Sequence, residues 1–292
     1  MFIVYPKTTA DRPMHKKLCL LHANCQGEEL APLLRASSAF NSAYRLVLRT
    51  NYTHEHVSEQ ELAECGVFLY QYLDDTWAEL SSRTLLRQLS PSALALQIPN
   101  LFFKGYWPFW TSQGTIDFSD LLLNRLIDEG APKSAILKLY LHSDINTFID
   151  LKAALDETIA IERRKETHSC VKYVDYGLRL WKKRLIFLTV NHPGLCLLIH
   201  VAQGILDALG LPPLSDRELK PPGLQADFPS YTNFELPVHP QVAAFHGLEF
   251  GGPRHTYAVF NRRMTFEQYV SRYIDCRLNG MDGDFLGYLQ VV

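Results

Sequence analysis

The sequence predicts an α/β fold, a parallel sheet flanked by helices, and three observations carry that prediction. Short apolar runs alternate with segments of helical period over the first hundred residues. Most of these runs are continuously apolar, as strands buried on both faces of a parallel sheet must be. The 292 residues are 47% hydrophobic and 12% aromatic, enough to bury a core without disulfide or metal staples.

Taken in order, residues 17–22 (Lys-Leu-Cys-Leu-Leu-His) are a short apolar run suited to a buried strand. A turn over 23–27 leads into residues 28–35, where apolar positions fall at helical spacing and acids occupy the first turn. Residues 44–49 alternate like a strand, and 58–65 read as a helix capped by Ser58 with Glu61 three residues on. A strand over 66–71, a helix over 81–89 and a strand over 94–98 follow. From 117 to 183 the pattern becomes helical, an insertion of segments near 117–130, 132–141, 146–166 and 170–183. Residues 185–189 look like a returning strand, followed by Asn191-His-Pro-Gly and a long amphipathic helix to Leu209. Eight of the 16 prolines then lie between Pro212 and Pro253, before a last amphipathic helix over 264–278. The expected organisation is a body over 1–210 and a proline-rich extension over 211–292 packed on it.

Charge and cysteine usage narrow the function. Lys plus Arg is 29 against 31 Asp plus Glu, so no basic excess points to nucleic acid. The six cysteines form no CxxC pair, no metal-ligand spacing is present, and the apolar stretch 195–211 is broken by His200, Gln203 and Asp207. The first residues lack the basic start and apolar run of a signal peptide, so the cytoplasm is the expected compartment. No metal and no membrane span are expected.

In open parallel sheets ligands gather at the carboxyl ends of the strands. Along that edge the sequence places Asn24-Cys25-Gln26-Gly27, then Gln71, then Pro99-Asn100, then Thr189 to Pro193. Cys25 stands in a strand-to-helix turn, where backbone N–H groups and the helix dipole favour a thiolate, so its pKa is expected below about 8.5. Gly27 allows a ligand or another backbone to come close, and Asn24, Gln26 and Gln71 offer amides. A buried cysteine packing a tight turn is the plainer alternative. His192 is the candidate base, with Asn191 or Thr189 to orient its ring; a histidine that only caps the next helix is the alternative. Asn100 is a candidate oxyanion donor or a simple turn residue. Ser81, Ser82 and Arg83 open a helix in a manner suited to phosphate, or equally to plain capping. Lys104 and Tyr106, with Trp107, Phe109 and Trp110, form an aromatic loop with a cation that suits an adenine or sugar face, although such rings are more often core. Arg12, Lys16 and Lys17 are weaker phosphate candidates.

The blocks Asn24-Cys25-Gln26-Gly27, Tyr70-Gln71, Ser81-Ser82-Arg83, the run from Ile98 to Tyr106 and Asn191-His192-Pro193-Gly194 resemble, in order, the WcbI family of capsular-polysaccharide biosynthesis proteins. The agreement covers residues 17 to about 210. The resemblance implies coenzyme A or acetyl-CoA as ligand and polysaccharide O-acetylation as the setting. A looser similarity links the layout to Ser-Gly-Asn-His hydrolases and transacylases, with Cys25, Asn100 and His192 at the corresponding places. Cys25 departs from the serine of that pattern, and Thr189 stands where its aspartate would be.

The resulting expectation is an acyl-CoA-dependent O-acyltransferase, an acetyltransferase in the first instance, acting on a capsular sugar or its nucleotide-linked or polymeric precursor. Cys25, His192 and Asn100 are its expected catalytic groups. The expected CoA contacts are Asn24, Gln26, Gly27, Gln71, Ser81, Ser82, Arg83, Lys104 and Tyr106. A thiol-dependent esterase or hydrolase, and a non-catalytic partner in capsule assembly, are the alternatives. Direct transfer and transfer through Cys25 both stay open.

Overall fold

The computed structural model describes residues 16–220, 229, 231 and 233–291. Arg12, the first residues and part of the proline-rich segment lie outside the described residues. The chain begins β1 (Lys17–Ala23), α1 (Cys25–Ala36), α2 (Ser38–Ala43), β2 (Tyr44–Thr50), α3 (Glu59–Glu64), β3 (Cys65–Tyr70), α4 (Ser82–Gln88) and β4 (Leu94–Gln97). The four strands form one wholly parallel sheet in the order β2-β1-β3-β4. The fold is the predicted α/β sheet flanked by helices.

Strand faces follow from the period of two. Cys19, Leu21 and Ala23 of β1 and Val67 and Leu69 of β3 enter the larger core, with Leu30, Leu33 and Leu34 of α1. Leu20 and Phe68 point the other way, onto Leu62 of α3, Leu85 of α4, and Val57 and Leu80. Burial on both faces explains the continuously apolar strands. Local chemistry sets the helix starts. Ser58 and Glu61 form the expected reciprocal capping box ahead of α3. Gly27 is required by packing: a Cβ there would meet the Ala23 Cβ at 2.7 Å and the Leu48 Cδ1 at 3.1 Å. The missing side chain therefore seats α1 on the sheet rather than opening space for a ligand.

The helical insertion holds α5 (Leu121–Asp128), α6 (Lys133–His142), α7 (Leu151–Glu166) and α8 (Val174–Leu180). The run over 185–189 does not return to the parallel sheet; β5 (Phe187–Thr189) pairs antiparallel with β6 (His192–Pro193) in a two-stranded hairpin of its own. The hairpin reaches the sheet through the loop after β4, where Phe103 N donates to Val190 O at 2.8 Å. Then α9 (Leu195–Ala208) packs on α1.

The later part contains α10 (Pro240–His246), a hairpin of β7 (Thr256–Val259) and β8 (Arg262–Thr265), α11 (Phe266–Leu278) and α12 (Phe285–Val291). It is tied to the body by backbone bonds. Leu236 N donates to Leu188 O at 2.7 Å, and Glu235 N to Ala258 O at 2.7 Å. No helix among the described residues is long and apolar enough to cross a membrane.

Strand order reverses at β1 and β3, since the chain leaves β1 for β2 and then returns to the other side of β1. Crossover helices diverge there, and the loops after β4 and β5 meet over the carboxyl ends of β1 and β3. Asn24 and Gln71 follow those two strands directly.

Candidate active site

Asn24 is the N-cap of α1, its side-chain oxygen accepting from Gln26 N at 2.9 Å. Its own N–H donates to Gln71 Oε1 at 2.8 Å, and its Nδ2 donates to Asn100 Oδ1 at 3.3 Å. One residue thus joins the ends of β1 and β3 to the loop after β4.

Two buried glutamines complete the joint. Gln26 Nε2 donates to Leu101 O and to Asn191 O, both at 2.8 Å, while its Oε1 accepts from Leu101 N at 3.0 Å. Gln71 Nε2 donates to Gln26 Oε1 at 3.2 Å and to Pro99 O at 3.0 Å. Gln26 has all four of its amide hydrogen-bonding sites engaged by protein and Gln71 three of its four. They tie the ends of β1 and β3 to the loops after β4 and β5 and so form the frame of the site.

Cys25 is the first residue of α1, not part of a preceding turn. Its thiol is pushed up to about 11, foremost by burial and then by Glu28, with Glu29 adding a smaller contribution; hydrogen bonds from the Gln26 and Cys25 backbone oppose the rise without cancelling it. Glu28 is held nearby by Tyr52, whose hydroxyl donates to Glu28 Oε1 at 2.8 Å. The expectation of a stabilised thiolate is therefore overturned. Dipole and amides favour the anion, but desolvation and two carboxylates on the same helix outweigh them.

His192 opens β6 and is half-buried. Burial lowers its pKa to about 4, so the imidazole is neutral at physiological pH and able to accept a proton. Thr189 and Asn191 do not orient it: Thr189 Oγ1 donates to Asn191 Oδ1 at 3.1 Å instead. The ring lies against Tyr231, with centroids 4.6 Å apart and planes 14° from parallel. Asn100 Oδ1 is taken by Asn24, and its Nδ2 donates to no described residue, which leaves it available as an oxyanion donor.

Three other expected contacts serve the fold. Ser81 caps α4, accepting from Thr84 N at 3.3 Å, and the Ser82 hydroxyl accepts from Leu73 N at 2.9 Å; both serines are buried. Arg83 pairs with Asp75 at 2.8 Å at the surface. The two serine hydroxyls of that helix start are engaged within the protein, while Arg83 stays exposed. Tyr106 is fully buried, its hydroxyl donating to Trp181 O at 2.6 Å, and Trp107 and Phe109 are core. Lys104 lies over the Trp110 ring at 5.7 Å. Tyr106, Trp107 and Phe109 therefore pack inward, while Phe102, Lys104 and Trp110 stay partly exposed.

The sequence reading missed a basic groove. A cleft of about 630 Å³ runs between Tyr72 and Asn100 on one side and Arg164, Lys165 and His168 on the other. Tyr72 is 60% exposed. Arg164 and His168 are exposed and make no ion pair among the described residues, while Lys165 Nζ holds Glu162 Oε1 at 2.8 Å. Glu162 in turn accepts from Phe102 N at 3.3 Å, tying the end of α7 to the Asn100 loop. The run Arg163-Arg164-Lys165 was visible as a signal, but a helix C-terminus explains such a run equally well. Among the described residues no group of three or more His, Cys, Asp or Glu side chains could hold a metal ion.

A search of curated proteins gives no match. A solved structure of WcbI, described as a novel polysaccharide biosynthesis enzyme and as the native protein without a disulfide bond between CoA and one of its cysteines, is similar to this chain. The similarity has a TM-score of 0.73, covers 94% of each chain and comes with 17% identity, so it speaks to the fold. The profile described as polysaccharide biosynthesis enzyme WcbI matches residues 18–214, the stretch from β1 past α9 that carries the amide frame, the hairpin and the basic groove. By that match the chain belongs to the WcbI family of polysaccharide biosynthesis enzymes.

Proposed function

We propose that this protein is a CoA-dependent O-acyltransferase, moving an acyl group, acetyl in the first instance, onto a hydroxyl of a capsular sugar or its precursor. One observation carries the reading: Asn100 belongs both to the amide frame beside Cys25 and to the wall of the basic groove. A ligand with a polyphosphate at one end and a thioester at the other fits that continuity. Its phosphates would lie along Arg164, Lys165 and His168, with the exposed Tyr72 ring for the adenine. The description of the solved WcbI in terms of a CoA–cysteine disulfide supports a CoA sulfur beside a cysteine, and Cys25 is the cysteine of this site. The cytoplasm, where acyl-CoA is supplied, is the matching compartment.

The chemistry then needs one base and one oxyanion site. His192 accepts the proton of the acceptor hydroxyl as that oxygen attacks the thioester carbonyl. The Asn100 amide and the N–H groups at the start of α1 face the developing oxyanion. Collapse of the intermediate breaks the carbon–sulfur bond, and the leaving CoA sulfur takes the proton back from His192. The neutral Cys25 thiol favours this direct route over an acyl-enzyme.

Calorimetry with CoA, dephospho-CoA and pantetheine tests the binding half. CoA should bind, pantetheine only weakly, and Arg164→Ala with Lys165→Ala should weaken CoA on the order of tenfold or more, while the pantetheine affinity stays put. CoA affinity indifferent to both substitutions would refute the groove, and no CoA binding at millimolar concentration would refute the acyl-CoA reading.

A further inference from the structure

We propose that Tyr231 is a positioning residue for His192, so that the proline-rich extension supplies one wall of the candidate active site. The proposal rests on the reading of His192 as the base of that site.

The hairpin that carries His192 does little to hold the ring itself. It has only two residues between β5 and β6, and the polar side chains beside the histidine, Thr189 and Asn191, are occupied with each other. Neither ring nitrogen has a hydrogen bond among the described residues. What fixes the plane of the imidazole is the Tyr231 ring, nearly parallel to it at 4.6 Å. Tyr231 is tethered at its far end, where its hydroxyl donates to Pro193 O at 2.7 Å, the carbonyl next along the chain from His192. A ring pinned to the backbone it flanks cannot slide without breaking that bond. The extension is also anchored on the other strand of the hairpin, by Leu236 N on Leu188 O.

The same tyrosine faces the rest of the site. Burial raises its hydroxyl pKa, with Glu29 and Cys25 of α1 adding to the rise. Burial alone shifts His192, Tyr231 lies against its ring, and Glu29 and Cys25 of α1 act on Tyr231 from the other side. Tyr231 covers one face of the imidazole from water, and that cover is part of the burial that keeps the ring neutral. Nothing in the sequence around Tyr231 announces this, since its partner lies 39 positions earlier in a different element.

The experiment measures the ring, not only the reaction. In the full-length protein, the His192 imidazole is titrated by NMR, assigned by loss of its signal in His192→Gln. Acyl transfer and CoA binding are followed in parallel for wild type, Tyr231→Phe, Tyr231→Leu and Tyr231→Ala. Tyr231→Phe keeps the stack and should leave the His192 pKa close to wild type. Tyr231→Ala opens one face of the ring and should raise its pKa by about one pH unit or more toward 6.5. The acid limb of kcat/KM should move up with it. At the pH optimum kcat should fall on the order of tenfold, with KM for acyl-CoA little changed. Should Tyr231→Ala fail to fold, Tyr231→Leu decides: it fills the space without a planar face, so an altered ring pKa with unchanged CoA affinity supports positioning. An unmoved His192 pKa in both Ala and Leu variants overturns the proposal. A moved pKa with unchanged acyl transfer would leave Tyr231 as the residue that sets the ring and refute His192 as base, so the two failures are distinguishable.

Discussion

Replacing Gln26 by leucine tests whether the site is held together by its amide frame. Gln26 is 1% exposed, and its side chain makes four hydrogen bonds to three separate segments. Leucine has nearly the same volume, so packing is preserved while Leu101 N, Leu101 O, Asn191 O and Gln71 Nε2 each lose a partner. An orphaned buried group costs about 1 kcal/mol at the low end, or ~4 kcal/mol for the four. The added apolar burial returns roughly 1 kcal/mol. The expected loss is about 3 kcal/mol, a large share of the 5–15 kcal/mol typical of a domain. Urea unfolding with an unchanged m-value reads it directly. A Gln26→Leu protein within about 1 kcal/mol of wild type would refute the frame as an energetic unit. Gln26→Glu adds a sign test. Its carboxylate would face the Leu101 and Asn191 carbonyls, so the neutral acid is preferred and the folded-state pKa lies above the unfolded value. The folded state then holds the proton that the unfolded state has lost, and stability must fall as pH rises, by up to about 1.4 kcal/mol per pH unit.

Gly27→Ala should destabilise by ~1–3 kcal/mol in thermal or urea unfolding, because its Cβ would stand 2.7 Å from that of Ala23; a neutral outcome would mean that α1 shifts freely on the sheet. Alkylation of Cys25 by iodoacetamide should be slow at neutral pH and climb about tenfold per pH unit toward 11, and Glu28→Gln should move the whole curve down in pH; a plateau above pH 8 would refute the raised pKa. His22 is 1% exposed, neither ring nitrogen has a partner among the described residues, and burial lowers its pKa to about 4. Between pH 6.5 and 4 the unfolded state takes up a proton that the folded state refuses, so stability falls as pH falls, by as much as ~3 kcal/mol from this residue. His22→Leu should flatten that slope, and an equal slope in the variant would assign it elsewhere.

What the sequence made legible is what local chemistry decides. The strands of the first hundred residues were readable because burial on both faces leaves uninterrupted apolar runs, and α3 because Ser58 and Glu61 are a reciprocal cap. The start of α1 was placed late, since Asn24, Cys25 and Gln26 carry no apolar period, although an asparagine after a strand is itself a cap signal. Pro240 sits at the first position of α10, where proline opens a helix rather than ending one, so the proline-rich stretch hid a helix. The partner of 185–189 was not readable, because an apolar strand does not say what it pairs with. The site divides in the same way. Its positions follow from strand ends and topology, whereas the roles of Gln26 and Gln71 depend on loops tens of residues away. The direction of the Cys25 shift depends first on burial, which the fold sets, and then on Glu28 and Glu29, which stand in the sequence beside it.

The charge layout of the site has a consequence for the proposed reaction. Apart from Glu28 and Glu29 on α1, its centre is made of neutral groups: two glutamine amides, two asparagine amides, a thiol and an imidazole. Cations stand at the rim, in Arg164 and Lys165. A cation moved beside Cys25 would lower the thiol pKa and, placed near His192, would lower the imidazole further; both changes would favour a cysteine nucleophile over a free base. The observed placement does the opposite. With Cys25 at about 11 the thiolate fraction at pH 7 is on the order of one in ten thousand, and with His192 at about 4 the imidazole is neutral in all but about one molecule in a thousand. At neutral pH the Cys25 thiol is then held protonated and the His192 imidazole unprotonated. Burial is the first cause of the raised Cys25 pKa, and Glu28, with a smaller share from Glu29, adds to it. Removing their charge should bring acylation of Cys25 into view by mass spectrometry, without a matching gain in transfer to the sugar.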